Sequence, residues 1–117
     1  MNQNDLNDLK LRLRKFADER DWNQFHSPKN LSMALIGEAA ELVEHFQWLT
    51  EEQSKALSSD KYNEVVLELA DIFIYLIRIA DKLNVDLINT AYKKIAINEQ
   101  KYPVEKVKGK SKKYTEY

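Results

Sequence analysis

The sequence predicts an all-α protein with a four-helix core bundle that assembles as an oligomer. Glycine and proline number only two each among 117 residues, too few for the many tight turns of sandwiches, barrels and wound α/β sheets. Apolar residues recur three and four positions apart through most of the chain, which is the spacing of one helix face. The third long helix is apolar enough to offer a surface for a subunit interface.

The first two long helices are separated by a loop. An apolar stripe marks the first helix and consists of Leu6, Leu9, Leu13, Phe16 and Ala17. Residues 20–28 interrupt this spacing and predict the loop. The second long helix is expected to begin from a cap at Asn30 or Ser32 and to end near Trp48 or Leu49.

Capping patterns define the remaining helices. Residues 50–53 have the pattern of a capped start to a short helix, and residues 58–60 form the next cap. The third long helix then begins at Lys61; its isoleucines and valines are typical of a strand, but its length of about 20 residues without a turn favours a helix. The fourth long helix follows a turn at residues 84–86 and runs to about Lys101.

We expect one domain over residues 1–103 and a basic tail over residues 104–117, because a chain of this length makes a single domain. The tail contains Lys106, Lys108, Lys110, Lys112 and Lys113. Its composition predicts a solvated end, and its charge also allows the hypothesis that it covers an anionic substrate.

Charge and composition exclude several classes of protein. The formal net charge of -1 argues against a general nucleic-acid binder, which usually has a basic excess. The longest apolar run, residues 72–77, is too short to span a membrane, and the N-terminal residues lack the apolar core of a signal peptide. The absence of cysteine excludes disulfides, thiolate zinc sites and cysteine nucleophiles. We therefore expect a cytoplasmic protein without nucleic-acid or membrane partners.

Four acidic residues form two pairs with helical spacing. Glu38 and Glu41 share one face of the second long helix, and Glu68 and Asp71 share one face of the third. The second pair lies among apolar residues, where carboxylates are costly unless they are paired or bind a cation. If the two faces meet, four carboxylates line one cavity and suit Mg²⁺ or Mn²⁺, which keep waters for substrate phosphates. The alternatives are ion pairs with lysine or arginine, or solvated strips.

Aromatic and polar residues beside the helix ends have two interpretations. Trp22 and Trp48 either pack in a core or interface, or stack on a nucleobase. Next to Trp22, residues 23–26 offer Asn23, Gln24 and His26 as hydrogen-bonding groups for a base edge. Lys94 and Asn98 share a face of the fourth long helix, and this face is either a solvated strip or a contact for phosphates.

An ordered set of motifs extends from Phe16 to Tyr117. Its most specific part is FADERDWNQFHSPKNLSMALIGEAAELVEHFQW at residues 16–48. An ExxE at residues 38–41 and an ExxD at residues 68–71 follow the expected order. Further matches are Tyr75 and residues 94–98, 101–103 and 111–116. This set resembles the all-α nucleoside triphosphate pyrophosphohydrolases of the MazG-like superfamily, and most of all its dCTP pyrophosphatase branch.

The resemblance implies a function and a site. It implies Mg²⁺-dependent hydrolysis of deoxynucleoside triphosphates to the monophosphate and pyrophosphate. The favoured substrate is dCTP or a modified cytosine analogue, and its hydrolysis cleans the nucleotide pool. The implied catalytic metal ligands, for Mg²⁺ or alternatively Mn²⁺, are Glu38, Glu41, Glu68 and Asp71. The implied contacts to the nucleoside are Trp22, His26 and Trp48. The resemblance places Tyr75 beside the sugar, and Lys94 and Asn98 at the phosphates.

The resemblance also implies a homodimer or a homotetramer made of two dimers, with sites at subunit interfaces. Leu13 stands where a relative carries a substrate-contacting histidine, and this departure leaves the base preference open. The alternative function is a non-catalytic helical oligomerisation or scaffold module. A scaffold, however, has no reason to keep four carboxylates among apolar residues.

Overall fold

The computed structural model describes residues 5–111 and residue 115, and it contains helices but no strand in that part of the chain. The prediction of an all-α protein is therefore confirmed. The helices in chain order are α1 (Leu6–Glu19), α2 (Pro28–Glu44), α3 (Glu51–Ser54), α4 (Ser59–Lys82), α5 (Leu87–Lys101) and α6 (Val104–Val107).

Side-chain caps start α3 and α4 where the sequence predicts them. At α3 a capping box forms: the Gln53 N–H donates to Thr50 Oγ1 over 3.1 Å, and the Thr50 N–H donates to Gln53 Oε1 over 2.9 Å. At α4 the Lys61 N–H donates to Ser58 Oγ over 3.3 Å. Each bond satisfies an N–H group that has no partner inside its helix.

The start of α2 differs from the prediction. Ser27 is the cap, its Oγ accepts from the Asn30 N–H over 3.1 Å, and Pro28 is the first helical residue. The expected caps at Asn30 or Ser32 were wrong, because proline is well tolerated at the first helical position, where an N–H would have no partner. The expected end was also too late, since α2 stops at Glu44 and turns continue over residues 45–49.

The chain divides into two compact units after Asn84. In the first unit α4 packs against α2 and against α1. The buried apolar core of the described residues comes from these three helices and consists of Ala17, Leu31, Val65, Ile77 and Ala80. Because three of these five residues belong to α4, this helix is the centre of the first unit.

Two contacts show that α2 and α4 run in opposite directions. Lys61 near the start of α4 places its Nζ 3.2 Å from Nδ1 of His45, which follows α2. Arg78 near the end of α4 places its Nη2 3.3 Å from Nδ1 of His26, which precedes α2. The antiparallel pairing brings the middle of one helix, with its acidic residues, against the middle of the other.

The second unit contains α5 and the short helix α6. α5 starts at the cap Asp86 and ends at Lys101, as the sequence predicts. The domain boundary expected after residue 103 falls at the N-cap of α6 and stays a prediction. Residues 112–114 and 116–117 of the expected basic tail lie outside the described residues. No helix in the described part of the chain is long and apolar enough to cross a membrane.

Candidate functional site

Three carboxylates from α2 and α4 converge on one point. One oxygen from each of Glu38, Glu41 and Glu68 lies within 4.8 Å of the others. Glu38 and Glu68 are half-buried, whereas Glu41 is exposed. The spacing of one helical turn places Glu38 and Glu41 on the same face of α2. Within the described residues no other three acidic or histidine side chains lie this close together.

Where the three carboxylates meet, their negative charges repel one another and one acceptor oxygen lacks a hydrogen-bond partner. The pKa of Glu38 is raised, first because it shares a hydrogen bond with Glu68, and then because of burial and the negative charges of Glu68 and Asp71; a hydrogen bond with Glu41 acts in the opposite direction. The buried Oε1 of Glu68 has no hydrogen-bond partner. A cation bound between these oxygens would relieve both conditions, and oxygen ligands of this kind fit a hard divalent ion.

Asp71 lies at the edge of this cluster. It follows Glu68 by one turn of α4, so the two residues share a face. Its side chain is exposed and is not one of the three whose oxygens converge. Its charge nevertheless acts on Glu38. Three of the four acids expected to act together are thus in contact range, and the fourth is beside them.

The loop between α1 and α2 is tied to α4. Asn23 Oδ1 accepts from Arg78 Nη2 over 3.1 Å and from Lys82 Nζ over 3.4 Å, while its Nδ2 donates to Asp18. The Gln24 amide donates to the carbonyl and carboxylate of Asp21 over 3.0 and 3.2 Å. Both amides, which the sequence offers as base contacts, therefore serve the loop itself.

Trp22 and His26 form an aromatic group within this loop. The Trp22 ring meets the Phe16 ring edge-on, with centroids 5.6 Å apart, and lies 6.0 Å from the His26 ring at a tilt of 59°. Trp22 is 42% exposed and His26 is half-buried. Part of an aromatic surface therefore remains accessible beside a histidine, which is a suitable surface for a flat ring.

Trp48 and Tyr75 lie elsewhere in the first unit. Trp48 belongs to the turns after α2 and is 86% exposed, so core packing does not account for it. Tyr75 is half-buried on α4, one turn beyond Asp71. Trp22 precedes α2 and Trp48 follows it, and this helix of 17 residues is roughly 25 Å long. The two indoles of one chain therefore lie near opposite ends of α2.

Lys94 and Asn98 belong to the second unit. Both are exposed on α5, and they lie on the same helix face, one turn apart. This arrangement gives a cation and an amide that point to the same side of α5.

Arg78 is the residue that sequence reasoning missed. It is only 4% exposed, and it lines a cavity of about 340 Å³ together with Arg14, Asp18, Asn23, Asp81 and Lys82. Asp81 in this cavity accepts from Nε and Nη2 of Arg14 over 2.7 and 2.6 Å. The available signal was one arginine within the most apolar helix, where an unpaired charge is costly.

Known proteins are similar to this chain in both sequence and fold. Residues 35–117 match the MazG-like family. The chain is 41% identical to dCTP pyrophosphatase 1 of Homo sapiens and 42% identical to that of Mus musculus, in each case over 95% of this chain and 66% of the relative. It thus spans about two thirds of the length of these relatives. A crystal structure of a pyrophosphatase from Archaeoglobus fulgidus superimposes with a TM-score of 0.74 at 38% identity, covering 78% of this chain and 85% of that one.

Proposed function

The chain belongs to the MazG-like family, and we propose that it hydrolyses deoxynucleoside triphosphates to the monophosphate and pyrophosphate. The substrate that we propose is dCTP or a modified cytosine analogue, whose removal cleans the nucleotide pool. Two observations support the proposal: the convergence of Glu38, Glu41 and Glu68, and the buried Oε1 of Glu68 that has no hydrogen-bond partner. The mammalian relatives of this chain are dCTP pyrophosphatases.

The proposed cofactor is Mg²⁺, with Mn²⁺ as the alternative ion. Glu38, Glu41 and Glu68 would hold it, and Asp71 at the edge of the cluster would complete the ligand set. When bound, Mg²⁺ supplies positive charge for the phosphate oxygens and promotes the ionisation of water. The carboxylates would hold the ion beside the phosphates, and one of them would accept a proton from the attacking water.

The face of α4 that carries the acids also offers a path for the rest of the nucleotide. Asp71, Tyr75 and Arg78 follow one another by one helical turn on this face. Arg78 lies about 10 Å along the helix from Asp71, at 1.5 Å per residue, and contacts His26 in the loop. We place the phosphates at the acidic cluster, the sugar beside Tyr75 and the base beside His26 and Trp22.

Trp48 is proposed to reach the base of a neighbouring protomer. Stacked rings have centroids about 4.5–7 Å apart, so one base does not bridge two indoles that lie near opposite ends of α2. Large apolar side chains remain exposed on the helices of the first unit; Ile36 is 68% exposed and Leu67 is 67% exposed. A homodimer, or a homotetramer of two dimers, would cover such residues and bring Trp48 of one protomer to a second site.

The phosphates are proposed to gain further contacts from Lys94 and Asn98. Both side chains are exposed on one face of α5, where an ammonium and an amide can bind anionic oxygens. An exposed lysine costs little free energy and does not require a function, so kinetic measurements must test the contact between Lys94 and the phosphates. Replacing Lys94 with Met is expected to raise KM for a triphosphate but not to change the melting temperature.

The proposed function is tested by measuring pyrophosphate release from a panel of deoxynucleoside triphosphates with Mg²⁺. We expect turnover with dCTP or a modified cytosine nucleotide to exceed that with the other bases, and EDTA to abolish it. Glu38→Gln is expected to be inactive, whereas the matched control Glu44→Gln, an exposed acid on the same helix, is expected to be active. Absence of release from every nucleotide would refute the proposal.

A further inference from the structure

Arg78 joins α4 to the loop that carries Trp22 and His26. Its Nη2 donates to Asn23 Oδ1 over 3.1 Å and lies 3.3 Å from Nδ1 of His26. A guanidinium has hydrogen-bond donors and no acceptor. Nδ1 of His26 must therefore be the acceptor, and a neutral His26 carries its proton on Nε2.

The surroundings of His26 favour this neutral form. Burial lowers the pKa of His26, and the positive charges of Arg78 and Lys82, both on α4, lower it further. The loop neighbour Trp22 is uncharged, and Asp18 of α1 is bonded to Asn23. The ring consequently presents an Nε2–H donor, which forms no hydrogen bond within the described residues.

Burying the guanidinium of Arg78 costs free energy, and filling space in the core does not require a charged side chain. It is 4% exposed, and its buried Nε has no hydrogen-bond partner. Its Nη1 lies 3.6 Å from Asp81 Oδ2, and Asp81 in turn is bonded to Arg14. An apolar residue of similar size often stabilises a protein as well as a buried ion pair or better. The buried guanidinium therefore fits a role in which the direction of its N–H groups matters.

We propose that Arg78 is a positioning residue that fixes His26 as an Nε2–H donor to the base of the substrate. This inference rests on the proposed function, because it deepens the description of the same nucleotide site. The ligand chemistry that follows is a base whose facing edge presents an acceptor, such as the carbonyl oxygen of a pyrimidine. Arg78 contacts His26 and Asn23, and the proposal gives it no contact with the substrate.

The kinetic test compares Arg78→Met, His26→Ala and the double variant, with dCTP and Mg²⁺. Loss of one hydrogen bond to the base is expected to raise KM about 2–10-fold in each single variant, with little change in kcat. The double variant is expected to resemble His26→Ala, because Arg78 acts through His26. The control Arg12→Met, an exposed α1 residue paired with Asp8, is expected to leave KM unchanged. Effects that multiply in the double variant, or an unchanged KM in Arg78→Met, would overturn the proposal.

A second test does not require turnover and uses nitrogen NMR of the His26 ring. The wild-type protein is expected to show the Nε2–H tautomer, and Arg78→Met a mixture of tautomers. An Nδ1–H tautomer in the wild type would refute the inference even if dCTP is hydrolysed, whereas an inactive wild type with the expected tautomer would refute only the proposed function. If Arg78→Met does not fold, Arg78→Leu is measured in its place; it also removes the donor to Nδ1 of His26, and an unchanged KM and tautomer would again overturn the proposal.

Discussion

Glu38 on α2 and Glu68 on α4 bring carboxylate oxygens within 4.8 Å of each other, and neither residue forms an ion pair with a lysine or arginine among the described residues. The contact raises the pKa of Glu38. Two like charges held this close oppose folding, so the rest of the helix interface must compensate for them. Such an arrangement is typical of a site that is unfavourable until its ligand binds.

Neutralising this contact should stabilise the protein and remove its metal response. Glu38→Gln keeps a hydrogen-bonding group next to Glu68 and removes one charge. We expect the free energy of unfolding without metal to rise by about 0.5–2 kcal/mol, and the increase in melting temperature on adding Mg²⁺ to disappear. Thermal unfolding with and without Mg²⁺ measures both effects. Glu44→Gln should behave as the wild type, and a Glu38→Gln protein that is less stable would count against repulsion at this site.

The affinity for Mg²⁺ should depend on pH. The raised pKa of Glu38 means that the metal-free protein retains this proton at a higher pH than an ordinary glutamate does. Binding of the ion requires the ionised form, so affinity should fall as the pH falls through the pKa of Glu38. Calorimetry in buffers of different ionisation enthalpy should detect proton release on binding. An affinity that stays constant over this interval would contradict the assignment of Glu38 as a ligand.

Sequence patterns predicted most of the helices because helical spacing and caps are local properties. The capping box at Thr50 and Gln53 and the cap at Ser58 could be read directly. The start of α2 differs from the prediction because residues 20–28 interrupt the apolar spacing, although a serine followed by a proline fits a cap and a first helical residue.

The candidate site was only partly predictable. The spacing of Glu38, Glu41 and Glu68 predicts shared faces, but their convergence requires α2 and α4 to pack together. The role of Arg78 was hidden, because an arginine in sequence is usually a surface residue. Only the fold places it against His26, whose position in the sequence lies far from it. Long-range pairings of this kind leave no local signature.

Trp48 should affect substrate binding more than stability. It is 86% exposed, so Trp48→Ala is expected to leave the melting temperature unchanged. If it stacks on a base, its loss weakens binding by about 1–3 kcal/mol, which corresponds to roughly a 5–150-fold increase in KM. Steady-state kinetics with dCTP measures this. Trp22→Ala is the comparison, since it also loses contact with Phe16 and should melt earlier. An unchanged KM in Trp48→Ala would remove this residue from the site.

The Arg14–Asp81 ion pair should make stability depend on pH in the acidic range. The hydrogen bond from Arg14 lowers the pKa of Asp81 in the folded state, so the pair stabilises the protein at pH values above the pKa of an unfolded aspartate. This contribution should be lost as the pH falls through the lowered pKa. Urea unfolding of the wild type and Asp81→Asn measures it: the difference in stability should be present near neutral pH and should shrink in acid. A difference that grows in acid would contradict this sign.

We propose that the protein cleaves a deoxynucleoside triphosphate between its α- and β-phosphates at the acidic cluster of Glu38, Glu41 and Glu68. Phosphorus NMR of dCTP incubated with the protein and Mg²⁺ tests this claim most directly. We predict that the triphosphate signals are replaced by those of dCMP and pyrophosphate, and that EDTA or Glu38→Gln prevents the change. The appearance of dCDP and inorganic phosphate, or intact dCTP under all conditions, would contradict the claim.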